Sequence, residues 1–167
     1  MNPIALFTSF SGRINRAKWW LGMILILVLS IIASIAVNPN AMQAYTNPEA
    51  PNLDINAFRP TLAQLIVGLI MTFFVLALVF KRLNDRNWPT WVGIMIAVIY
   101  VGVQIAQYLA LQSIGSIEEI ATATIPTTII SSIVFLFLLI DNGMLKGTAG
   151  PNQYGEDPLA HKNTDMA

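Results

Sequence analysis

Four stretches of this chain contain no Asp, Glu, Lys or Arg: 19–37, 61–80, 91–111 and 125–140. As helix, the first spans roughly 28 Å, against a hydrocarbon core of ~30 Å. The second and third are of similar length, and the fourth reaches it if its helix starts a few residues upstream. Charged residues make up 11% of the chain and hydrophobic residues 55%, with a mean hydropathy of +0.62. A soluble domain does not have this usage. The pattern predicts an all-α integral membrane protein, a bundle of four transmembrane helices.

The remaining segments follow from the spans. Residues 1–18 form an interfacial lead-in, 38–60 a loop, 81–90 a charged hairpin, 112–124 a second loop and 141–167 a polar tail. Ile4, Leu6, Phe7 and Phe10 have near-helical spacing. The lead-in is read either as irregular or as a short helix in the headgroup region, with Arg13, Arg16 and Lys18 meeting anionic lipid. Ser34-Ile35-Ala36 resembles a signal-cleavage site, but the apolar run before it exceeds a usual signal core, so a retained span is expected. Trp19 and Trp20 start that span, where indoles favour the interface.

Orientation follows from the cations. Arg13, Arg16, Lys18, Lys81, Arg82, Arg86, Lys146 and Lys162 fall on one side of the four-span arrangement, and Arg59 alone falls on the other. The positive-inside rule then places both termini and the 81–90 hairpin in the cytoplasm. Loops 38–60 and 112–124 become periplasmic, and the expected location is a bacterial inner membrane.

Several chemistries lack their residues. Formal net charge is zero and there is no cysteine, so nothing points to nucleic acid, disulfides or thiolate metal sites. The single histidine, His161, lies in the polar tail and reads as solvated. No phosphate-binding glycine loop, zinc-protease helix or nucleophile elbow is present. Ser131 and Ser132 have no His or Lys within the spans to activate them. No enzyme activity, cofactor or metal is expected.

Within the spans, Gln64, Gln104, Gln107, Thr128 and Ser131 are candidate polar positions, with Thr127 and Ser132 beside them. They fall in the outer half of the bundle and read either as interhelical hydrogen bonds or as the lining of a polar cavity. Gly102, Ala106 and Ala110, preceded by Gly93 and Ala97, form a ridge of small residues suited to close helix packing. That packing lies within the chain or across a homo-oligomer seam.

At the charged side, Arg82 and Asp85 are one helical turn apart and within pairing reach. Asp141 follows the last span at the dipole end that disfavours an anion, so it needs a cation from among Arg13, Arg16, Arg82 and Arg86. Asn152, Tyr154 and Asp157 lie in a turn-rich segment able to fold back onto this face. These residues are expected to form one polar cluster that locks the helix ends, or a docking surface.

Three segments occur in order along the chain: Gly12-Arg13-Ile14-Asn15-Arg16-Ala17-Lys18-Trp19-Trp20, Arg82-Leu83-Asn84-Asp85 followed by Trp91, and Gly150-Pro151-Asn152-Gln153-Tyr154-Gly155-Glu156-Asp157-Pro158. With them the chain resembles the YhaH-type bacterial inner-membrane proteins, the domain of unknown function 805. The resemblance implies a small multi-pass membrane protein and supplies no activity. Many members carry His at the position of Asn84, so proton transfer built on that His has no basis here.

Three functions are weighed. The first is a non-enzymatic protein that organises or regulates a partner through the charged face. The second is a small transporter or channel using the polar outer half. The third, lipid modification at Asp85 or Asp141, lacks a recognisable catalytic companion. Expected partners are the phospholipid bilayer, anionic lipid at the charged face, and a protein partner or second copy, with no nucleic acid.

Overall fold

The structure is a computed structural model that describes residues 2–38 and 55–160. A short helix α1 (Pro3–Thr8) precedes four long helices: α2 (Arg16–Val37), α3 (Leu62–Asp85), α4 (Thr90–Gln112) and α5 (Ile117–Leu138). A 3-10 turn (Ile55–Phe58) leads into α3, and α5 runs on into a π-helical turn (Leu139–Met144). Among the described residues there is no strand, only an isolated bridge between Asn152 and Gly155.

All four long helices are long and apolar enough to cross a membrane. Their outward faces carry side chains such as Leu21, Val98 and Ile133, each about two-thirds exposed (69%, 67% and 65%). Apolar surface on this scale suits lipid contact and not water.

The helix ends follow from local chemistry. Asn15 caps α2 by accepting from the Lys18 N–H at 3.0 Å. Thr61 and Gln64 form a reciprocal capping box at the start of α3. At its other end, α3 closes with Asn87 in the left-handed region at φ 61°. The Trp88 N–H reaches back to the Leu83 carbonyl (2.9 Å) and the Asn87 N–H to that of Asn84 (3.1 Å). This is a Schellman stop, with Asn in the position glycine usually fills.

Helix α3 is the hub, packing against α1, α2, α4 and the π turn, while α5 packs on α4. One core cluster joins Ile14, Trp19 and Ile26 to Leu78. A second joins Leu76, Val79 and Leu83 to Ile96 and Leu138. Glycines set the closest helix approaches. A Cβ at Gly22 would lie 2.6 Å from Leu78, and one at Gly93 would lie 2.7 Å from Phe80.

Several expectations from sequence need correction. The 81–90 hairpin is shorter than expected, because α3 continues through Asp85 once its charged end is buried. The 112–124 loop is likewise shorter. Helix α5 begins at Ile117, with Glu118 and Glu119 in its first turn, where the dipole favours anions. Residues 141–144, expected in the tail, belong to the π turn. The lead-in is helical, but Leu6 and Phe7 pack on the Trp19 cluster, and Phe10 stacks edge-on with Phe73 and Phe80. Only Ile4 of this apolar set is strongly exposed, at 71%. Trp19 is buried, and Trp20 alone of the pair is exposed. Lys162 and His161, with most of the 38–60 loop, lie outside the described residues.

Candidate functional site

The charged end of the bundle is built on Asp85, in the last turn of α3. Its Oδ1 accepts from Arg13 Nε at 3.0 Å, and its Oδ2 accepts from Arg82 Nη1. All three side chains are within a few per cent of complete burial. A carboxylate between two guanidinium groups makes charge-assisted bonds, roughly twice as strong as neutral ones.

The remaining guanidinium donors go to backbone carbonyls. Arg13 Nη1 donates to Gly150 O (2.7 Å) and Gly155 O (3.1 Å), and Nη2 donates to Thr148 O (2.6 Å). Gly150 and Gly155 have φ of 75° and 129°, conformations that glycine tolerates without strain. Arg82 Nε donates to Asn142 O (2.7 Å) and Nη2 to Leu145 O. Both acceptors lie in or just after the π turn, a local widening that frequently accompanies functional sites.

Residues 145–157 form a strap across this triad. Thr148 donates twice to the Asp85 carbonyl, from N (2.8 Å) and Oγ1 (2.9 Å). Asn152 Nδ2 donates to the Asn84 carbonyl (2.9 Å), and Asn84 Nδ2 donates to Gly12 O (3.1 Å) and Phe10 O (3.3 Å). Tyr154 ends the strap with its hydroxyl donating to Trp88 O at 2.6 Å. Asp157 Oδ2 accepts from the Gly150 N–H (3.0 Å) and Oδ1 from the Leu159 N–H (2.9 Å). The Leu159 and Gly150 N–H bonds, with Arg13 nearby, hold the Asp157 carboxyl below its usual value.

Asp141 is paired separately. Its Oδ1 accepts from the Trp88 indole (3.0 Å) and from Arg86 Nε (3.3 Å). Of the four cations considered for it, Arg86 takes the role. Arg16 instead donates to Met144 O at 2.9 Å and stays exposed. Arg13, Arg82, Asp85, Asn152, Tyr154 and Asp157 thus meet around one triad, with Arg86 and Asp141 as a satellite pair and Arg16 at the rim.

Sequence reasoning missed four contributors. Lys81 Nζ donates to Ala5 O (2.8 Å) and Leu6 O (2.7 Å), tying down the last turn of α1. Gly147 lies so close to the Asp85 carboxylate that a Cβ would collide with it. Thr148 and the Asn142 carbonyl complete the set. A glycine and a threonine within a turn carry no signal of their own, and the π turn is invisible to hydropathy.

At the opposite end the polar positions divide. Gln64, Gln104 and Gln107 line a cavity of about 260 Å³ with Ser34, Arg59 and Tyr108. Gln104 Nε2 also donates to Thr72 Oγ1 at 2.5 Å, and the Gln64 side chain caps α3. Thr128 and Ser131 do not join them. They belong to α5, which packs on α4 and contributes no residue to this cavity or to its apolar neighbour of about 300 Å³. Thr128 faces outward. In the small-residue ridge, Gly93 packs against Phe80, while a Cβ on Gly102 would meet nothing within 4 Å.

The three segments singled out in the sequence therefore meet in one network of hydrogen bonds. A family model described as "Protein of unknown function (DUF805)" matches residues 7–156. The chain belongs to this family. The match takes in the Arg13–Asp85–Arg82 triad and the strap as far as residue 156, one residue short of Asp157. No curated protein and no solved structure matches the chain.

Proposed function

We propose that this DUF805 protein is a non-enzymatic, multi-pass protein of a bacterial inner membrane that organises or regulates a partner through its charged, cytoplasmic face. The carrying observation is the closed Arg13–Asp85–Arg82 triad. Both Asp85 oxygens are held in ion pairs and the strap covers them, so the triad acts as a rigid foundation. What it presents outward is the strap surface, including exposed Gln153 and Glu156, and a rim of exposed Arg16, Lys18 and Lys146. The cation distribution supports a cytoplasmic orientation, and the rim suits an anionic leaflet.

Lipid modification at Asp85 fits poorly, since both carboxylate oxygens are engaged by guanidiniums and the side chain is buried beneath the strap, out of reach of a substrate. Asp141 is likewise engaged by Trp88 and Arg86.

The test is crosslinking and affinity capture from native membranes, comparing the parent with Glu156→Lys and Arg13→Ala. The reading expects a defined partner with the parent that is lost from Glu156→Lys at equal abundance. If Glu156→Lys retains every partner and Arg13→Ala merely vanishes from the membrane, the site is structural only.

The amide-lined cavity at the other end favours a second reading, a small transporter or channel. It expects solute flux in proteoliposomes that falls with Gln104→Leu. Absence of flux in the parent rejects it.

A further inference from the structure

Beside the triad lies a cavity of about 460 Å³, lined by Arg16 and Ala17 of α2, by Arg82 and Asp85, and by Lys146 and Asp157 of the strap. Its carboxylates are already engaged: Asp85 by two guanidiniums, Asp157 by two backbone N–H groups. Its outer cations are not. Arg16 uses only Nη1, on Met144 O, and among the described residues Lys146 Nζ has no hydrogen-bond partner. Both residues are exposed.

The first turn of α2 adds to this. Asn15 satisfies the N–H groups of Lys18 and Trp19, which leaves those of Arg16 and Ala17 open at the positive end of a 22-residue helix. Arg16, Arg82 and Lys146 against Asp85 and Asp157 leave the lining one positive charge in excess. A guanidinium, an ammonium and free backbone N–H groups around one concavity match the oxygens of a phosphate group.

We infer that this cavity binds a phosphate monoanion, held by Arg16, Lys146 and the first N–H groups of α2. Two sources carry that chemistry: the phosphodiester of an anionic lipid headgroup, and free inorganic phosphate. The inference rests on the charged face being the working face of the protein, but its test needs no protein partner.

The test is native mass spectrometry of the full chain in neutral detergent, offered phosphatidylglycerol, phosphatidylcholine or inorganic phosphate. One phosphatidylglycerol is expected to be retained in preference to phosphatidylcholine. Arg16→Gln with Lys146→Gln should weaken retention about tenfold or more, on the scale of losing charged hydrogen bonds. Lys18→Gln, an exposed cation at the same helix end but outside the cavity, should leave it unchanged. Retention that inorganic phosphate does not displace assigns the lipid as source. Phosphate that binds alone, and is lost in the same double variant, assigns the free ion.

Equal loss in Lys18→Gln would reduce the effect to diffuse surface charge and overturn the site. So would failure of both anions to bind the parent. Loss of anion binding with partner capture intact would sever this inference from the partner-organising role.

Discussion

Arg13 Nε stands 3.0 Å from Asp85 Oδ1 although 72 positions separate them in the chain, and the contact is buried. Removing Arg13 leaves Asp85 Oδ1 and the Thr148, Gly150 and Gly155 carbonyls without their donor, while Arg82 still pairs with Oδ2. Arg13→Ala should therefore cost about 1–3 kcal/mol, the range for buried groups left unsatisfied. Arg13→Lys should recover little, because one ammonium cannot cover the directions of a planar fork. Reversible unfolding in mixed micelles measures both. A loss below about 1 kcal/mol would put the pair in the class of exposed salt bridges.

Exchanging the charges, Arg82→Asp with Asp85→Arg, should not rescue either single variant. An aspartate at 82 would face the Asn142 and Leu145 carbonyls that Arg82 now donates to, and an arginine at 85 would face Arg13. Stability of the swap is expected at or below the worse single variant. Recovery towards the parent would show an isolated pair.

Gly147→Ala places a methyl group against the Asp85 carboxylate. Overpacking of this kind costs about 1–3 kcal/mol. The same unfolding assay should show it, with earlier proteolysis within 145–157. A neutral substitution would mean that the strap relaxes away freely.

Tyr154→Phe removes the hydroxyl that donates to Trp88 O at 2.6 Å. The expected loss is about 1 kcal/mol, confined to the strap and read as faster amide exchange over 148–157. Uniform acceleration across all helices would instead implicate the whole bundle.

Asp157 makes strap attachment depend on pH. Its folded carboxyl is held low by the Leu159 and Gly150 N–H groups, with Arg13 contributing, so the ionised form is the bonded one. Attachment is then fully present above the ordinary aspartate value and is lost as pH falls through the lower folded value. Pepsin cleavage within the strap should rise on that acid side. Asp157→Asn should be looser at neutral pH and lack the step.

The four apolar helices were legible because hydropathy acts residue by residue, and a bilayer-length run without charge has few alternatives. The pairing of Arg82 with Asp85 was equally open to reading, since one helical turn separates them. Arg86 was only one of four cations offered to Asp141. Thr128 and Ser131 were grouped with Gln104 by depth alone, and depth does not say which way a helix faces.

The chain's covalent order dictates where charge is tolerated, and so which segments are helix, which ends are polar, and which residues share an end. It does not dictate which cation meets which anion. That choice came from the π turn bringing the Asn142 carbonyl to Arg82, and from Gly147 admitting the strap against Asp85. Such contacts join residues far apart in the chain, and packing of α3 against its neighbours sets their distances.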